Sequence, residues 1–136
     1  MKLVADANVL LSAVIGGRAK LVLNHREVRS VFTTESTLAE GQEYAPVLAE
    51  KKRLPADIVL LAIAALPVTV VAHATYARRL SEALNRIGRR DPDDAELLAL
   101  ALHLRVPVWS NDRDFERTEV EVLTTEDLLR KLGIID

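Results

Sequence analysis

Apolar positions along the chain fall into short blocks that alternate with longer stretches of helical spacing. Lys2 to Ala5 reads as a short buried strand, stopped by Asp6. From Val9 to Leu23 the apolar residues Leu10, Val14, Leu21 and Val22 are interrupted by Gly16-Gly17, which predicts a turn of helix, a loop and more helix. Val28 to Phe32 is β-rich and predicts a second strand. A helix follows over Leu38 to Lys52, with Ser36 or Thr34 as its N-cap and Leu54-Pro55 as its end. Pro55 opens another helix through Leu66, and Pro67 to Ala72 predicts strand three. Tyr76, Leu80, Leu84 and Ile87 lie on one face of a predicted helix that Gly88 ends. Asp91-Pro92 opens the helix Ala95 to Leu104. Val106 to Trp109 and Val120 to Leu123 are the last strands, and Thr124 or Thr125 caps a final helix, Glu126 to Leu132, stopped by Gly133.

Strands and helices thus alternate over 136 residues with no repeat, linker or low-complexity tract. The pattern predicts one α/β domain, a central, mainly parallel five-stranded sheet with helices on both faces. In such folds ligands bind beyond the carboxyl ends of the strands, where the strand order reverses. Composition narrows the chemistry. Hydrophobic residues make up 49% of the chain, enough for a real core. Cysteine is absent, so any metal must be held by oxygen or imidazole. Aromatics at 4% argue against a stacking platform for single-stranded bases. A net charge of −2 argues against nucleic-acid binding driven by bulk charge. No signal peptide is visible, and the longest apolar run, Ile58 to Val68, is too short to span a bilayer. The expected location is the cytoplasm, with no membrane partner.

The acids fall at corresponding places on this map. Asp6 ends strand one, and Asp112 and Asp114 follow strand four. Asp91, Asp93 and Asp94 open the helix that leads into strand four, and Glu40 lies near the start of the helix after strand two. In a parallel sheet all of these reach one rim. Clustered carboxylates repel unless a cation intervenes, and a hard divalent ion, Mg²⁺ or Mn²⁺, suits an all-oxygen donor set. Simpler roles compete: Asp91 as an N-cap with Pro92 at N1, Asp93 as a partner of the helix dipole. Asp94 points nearer the core-facing stripe Ala95, Leu98, Ala99 and Leu102. Spacing alone does not choose between Glu40 and Glu43.

Three segments, "MKLVADANVLLSA", "TTESTLAE" and "DPDDAELLALALHLRVPVWSNDRDF", together resemble the PIN-domain family of metal-dependent nucleases, many of which are VapC-type ribonuclease toxins. The resemblance covers the whole chain in element order and about a third of it in motif; Gly41 to Asn85 matches least. It implies that Asp6, Glu40, Asp94 and Asp112 are catalytic and hold Mg²⁺ or Mn²⁺, with Asp114 as a further metal contact. It makes Asn8, Ser110 and Asn111 supporting residues that orient carboxylates or substrate. The implied reaction is hydrolysis of an RNA phosphodiester by in-line attack of water. The implied partners are an RNA substrate, a small antitoxin protein and a second copy of the chain in a homodimer.

Arg78, Arg79, Arg86, Arg89 and Arg90 crowd the stretch before Asp91, with only Glu82 opposing, and form a candidate RNA-binding surface; a solvated helix face explains them equally well. His25, His73 and His103 show no metal-ligand spacing. A phosphatase of the haloacid-dehalogenase kind is a competing reading, but it looks like Asp-x-Asp after strand one, and Asn8 occupies the second place. A non-catalytic PIN-like scaffold that binds RNA or protein is the other alternative, and the complete acid set counts against it.

Overall fold

A computed structural model describes residues 1–88 and 92–136. Arg89, Arg90 and Asp91, the first two proposed to touch RNA and the third to cap a helix, lie outside the described residues. Five strands form one sheet in the order β3-β2-β1-β4-β5, and every pairing is parallel. They are β1 (Lys2–Ala5), β2 (Ser30–Thr34), β3 (Thr69–Val71), β4 (Val108–Trp109) and β5 (Val122–Leu123). The helices are α1 (Ala7–Val14), α2 (Ala19–Leu23), α3 (Glu35–Lys52), α4 (Ala56–Ala64), α5 (His73–Tyr76), α6 (Leu80–Ile87), α7 (Pro92–Leu104) and α8 (Thr125–Lys131). None of the described helices is long and apolar enough to cross a membrane.

Successive residues of β1 face opposite sides of the sheet, and the core divides accordingly. Leu3 and Ala5 pack with Val31 and Trp109 against Val9, Leu10 and Ala13 of α1, Val22 of α2 and Leu128 and Leu129 of α8. Val4 and Val108 pack on the other side against Leu97, Leu98 and Leu100 of α7, Ile87 of α6 and the buried Tyr76 and Phe115. A third cluster, Leu11, Ala45, Leu48, Val59 and Ile63, joins α1, α3 and α4. Its outer flank stays exposed at Val47, Leu54, Ile58, Leu60 and Leu61.

The expected elements are all present, and their bounds differ for physical reasons. The second strand begins at Ser30 rather than Val28, because the Val28 amide closes a turn onto the His25 carbonyl. It runs on through Thr33 and Thr34, which are buried, and the Thr33 hydroxyl donates to the Ala5 carbonyl at 3.0 Å. Strand four loses Val106 and Pro107: Pro107 has no amide to give, and the Val106 amide bonds to Ala101 at the end of α7. The continuous helix expected over Tyr76 to Ile87 is instead broken into α5, a 3₁₀ turn at Ala77–Arg79 and α6. Tyr76 leaves helical geometry there (φ −114°, ψ 3°) and is 1% exposed. Burying its ring takes precedence over continuing the helix axis. Gly88, with φ +77°, ends α6 as expected.

Candidate active site

The strand order creates a switch point. From β1 the chain turns to β2 on one side, and it returns to β4 on the other. The carboxyl ends of β1 and β4 therefore flank the crevice where such folds bind ligands. Asp6 stands at the first of these ends and Ser110 to Asp112 at the second, 104 residues apart in sequence.

Four side-chain groups clamp the two ends together. Asp6 is the N-cap of α1, and its Oδ1 accepts from the Val9 amide at 2.9 Å. Its Oδ2 accepts a short hydrogen bond from Ser110 Oγ. Ser110 Oγ in turn accepts from the Asp112 amide at 3.1 Å, and Asp112 Oδ2 accepts from Asn8 Nδ2 at 3.2 Å. Asn8 sits in the first turn of α1, so the path returns to the element that Asp6 caps. Asn8 and Ser110 thus each donate a hydrogen bond to one of the two carboxylates. Asn111 turns elsewhere: its Oδ1 accepts from the Thr125 amide at 2.8 Å and its Nδ2 donates to Thr125 Oγ1 at 3.2 Å. It ties the loop after β4 to the start of α8, and so supports the acids only at one remove.

Around this clamp lies a small cleft of about 140 Å³, lined by Asp6, Asn8, Thr37, Glu40, Asp93, Asp94, Asp112 and Asp114 among others. The acids arrive from four places: the end of β1, α3, the first turn of α7, and the 3₁₀ turn Arg113–Phe115 with the residue before it. Of the acids that spacing leaves undistinguished, Glu40 lines the cleft and Glu43 does not, while Asp93 and Asp94, both in the first turn of α7, line it together.

No Lys, Arg or His is among the described residues lining the cleft. The electrostatic consequence is visible at Asp6, 7% exposed, whose carboxyl is pushed up from 3.8 to about 6. Burial is the main cause, opposed by the bonds from Ser110 and Val9 and reinforced by the charges of Asp112 and Asp114. The donor chemistry fits a hard divalent cation: carboxylate oxygens with one hydroxyl and one amide, all hard oxygen donors, and burial of Asp6 that outweighs its two hydrogen bonds. Among the described residues, no three acid or imidazole groups already stand close enough together to hold an ion.

The proposed basic surface is arranged differently. Arg79 and Arg86 both pair with Glu82, at 2.9 Å each, and Arg86 also donates to the Thr118 carbonyl at 2.8 Å. The surface hollows lined by Arg78, Arg79 and Arg86 share no residue with the acid cleft. Of the histidines, His73 pairs with Glu96 at 2.9 Å and lies edge-on to Tyr76. The Tyr76 phenol is held well above its ordinary range by burial and by Glu96. Periodicity marks Tyr76 as apolar core, and its ring packs with Ile87 of α6 and Leu97, Leu98 and Leu100 of α7.

Residues 4–133 match the sequence profile of the PIN domain, and the chain belongs to the PIN-domain family. Solved structures share its fold at low identity. PAE2754 from Pyrobaculum aerophilum is 17% identical, with a TM-score of 0.73 over 99% of this chain and 91% of that one. A toxin–antitoxin complex from Klebsiella pneumoniae is 19% identical, with a TM-score of 0.64 over 90% and 97%. The sarcin-ricin loop cleaving toxin VapC20 of Mycobacterium tuberculosis is 17% identical, with a TM-score of 0.61 over 87% and 95%. No curated protein matches the chain.

Proposed function

We propose that the protein is an endoribonuclease that hydrolyses RNA phosphodiester bonds with Mg²⁺ or Mn²⁺ at the acid cleft. The observation that carries this reading is the convergence of Asp6, Glu40, Asp93, Asp94, Asp112 and Asp114 on one crevice at the switch point of the sheet. Asp6, Glu40, Asp94 and Asp112 are the residues assigned to hold the cation, with Asp114 as a further contact. When bound, a divalent ion neutralises charge on a phosphate and lowers the pKa of water. The chain's own residues do the rest. Ser110 and the Val9 amide hold the Asp6 carboxylate in one orientation, and Asn8 does the same for Asp112. Such fixed dipoles reduce the reorganisation needed when charge develops on a bound phosphate.

The same reading assigns two protein partners, a small antitoxin and a second copy of the chain. The exposed apolar side chains of α3, α4 and the turn between them, Val47, Leu54, Ile58, Leu60 and Leu61, support a partner-covered face. It also keeps the expected cytoplasmic location. The deciding assay incubates the purified protein with labelled single-stranded RNA and, separately, with p-nitrophenyl phosphate, each with Mn²⁺ and with EDTA. RNA cut only with Mn²⁺, and the phosphate ester untouched, is the expected result. RNA left intact in every condition sinks the reading. Hydrolysis of the ester alone points to a phosphatase, and RNA retention without cleavage points to a scaffold.

A further inference from the structure

Beside the acid cleft lies a larger hollow of about 580 Å³, formed by Ala7, Asn8 and Leu11 of α1 and Glu40, Glu43 and Tyr44 of α3. Ala7, Asn8 and Glu40 line both spaces, so they share a wall. Glu40, Glu43 and Tyr44 occupy one face of α3 at helical spacing. Among the described residues, Tyr44 is the only exposed Phe, Tyr or Trp; Phe32 is half-buried, and Tyr76, Trp109 and Phe115 are buried. Lys51, two turns further along α3, donates to the Tyr44 hydroxyl at 2.9 Å and places its ammonium 5.5 Å from the ring centre. The hollow therefore offers an apolar floor, one aromatic face and two carboxylates, Glu40 on the side of the acid cleft and Glu43 beside Tyr44, with the Lys51 ammonium beyond the ring.

That combination suits a nucleobase attached to a phosphate backbone. Single-stranded bases are bound by stacking on aromatic rings and by hydrogen bonds to their Watson–Crick edges. Low aromatic content rules out a platform for many bases, but one ring serves one base. The Glu43 carboxylate sharpens the choice. An ionised Glu is acceptor-only with two oxygens. Guanine alone presents two adjacent donors, N1–H and N2–H, on its Watson–Crick edge. Uracil sets its single N3–H between two carbonyls, which a carboxylate repels, and adenine and cytosine pair a donor with an acceptor.

We propose that this hollow receives the base flanking the scissile phosphate, that the base stacks on Tyr44, and that Glu43 selects guanine. The inference rests on the ribonuclease reading. It is tested with single-stranded RNA of randomised sequence, cut by the full chain with Mn²⁺ and mapped at the cleaved ends, together with RNA binding by fluorescence anisotropy in EDTA. The wild type should enrich guanine at one fixed position beside the cut. Tyr44→Leu should raise KM and weaken binding about tenfold while kcat stays within about twofold, the range expected for one stacked base. Tyr44→Phe should behave as wild type, and Glu43→Gln should lose the guanine enrichment. A wild type that cuts RNA without a fixed base preference overturns the inference and leaves the nuclease reading standing. So does a Tyr44→Leu chain with wild-type KM and affinity, the outcome expected if the hollow seats a protein partner instead. A wild type that neither cuts nor binds RNA overturns both.

Discussion

The charge on Asp6 is the feature of the site with the most direct thermodynamic consequence. Its folded-state pKa of about 6 lies above the ordinary 3.8 that an unfolded chain would show. The folded protein therefore binds this proton more tightly than the unfolded one. Stability from this group is fully present below pH 3.8, falls as the pH rises through about 6, and is absent above it. The difference corresponds to about 3 kcal/mol at a pH well above 6. Asp6→Asn removes the charge but keeps the geometry. The amide oxygen still caps the Val9 amide, and the amide nitrogen can donate to Ser110 Oγ, which today donates to Asp6. In EDTA at pH 8 the variant should be more stable than wild type by up to about 3 kcal/mol, of the order of 10 °C in Tm for a chain of this length. Urea unfolding of both proteins between pH 4 and pH 8 measures it. The two stabilities should lie close together near pH 4, draw apart between about pH 4 and pH 6, and keep a constant gap above that. Parallel curves, or a variant less stable at pH 8, would refute the argument from burial and crowding. On the proposed function, millimolar Mn²⁺ stabilises the wild type at pH 8 and does so much less for the variant.

Other outcomes follow from the same structure. On the proposed function, Asp94→Asn and Asp112→Asn should each reduce metal-dependent RNA cleavage by at least about a hundredfold with circular dichroism unchanged, the scale set by losing one contribution to transition-state charge stabilisation. Thr125→Val removes the acceptor of the buried Trp109 indole N–H, now bonded at 3.0 Å, and should cost about 1–3 kcal/mol in urea unfolding. Trp109 is the sole tryptophan, so its fluorescence reports that unfolding directly. Asp127→Ala breaks the reciprocal capping box with Thr124 at the start of α8 and should cost about 1 kcal/mol at neutral pH. The Asp127 carboxyl is held below its ordinary value chiefly by the Thr124 amide, so this penalty is present above pH 3.8 and fades as the pH falls through the lowered folded value. Leu98→Ala, at a fully buried position of α7 behind the acid cleft, should cost about 2–5 kcal/mol.

Much of the fold is legible along the chain because it is written in local periodicity. A block such as Leu3 to Ala5, or the stripe Ala95, Leu98 and Ala99, can bury itself in only one kind of element. Turn and cap residues such as Thr34, Gly88, Thr124 and Gly133 mark the ends. A parallel alternation then sends every strand end to one rim, which is why Asp6, Glu40, Asp94 and Asp112 can be grouped before any coordinates exist. What local pattern cannot carry is which elements become neighbours and which way a side chain turns once they do. Strand order puts β1 beside β4, and only that contact brings Asn8 to Asp112 and Ser110 to Asp6. Helix packing gives Glu40 to the cleft and Glu43 to the adjoining hollow, and brings Asp93 in beside Asp94. It also turns Asn111 toward α8 and joins Arg79 and Arg86 through Glu82, on hollows apart from the acids. The sequence by itself determined the layers and the rim at which the acids gather, because these depend on spacing within single elements and on their alternation. The partners of each carboxylate, and the raised pKa of Asp6, were decided only by tertiary structure, because they depend on burial and on distances between residues remote in sequence.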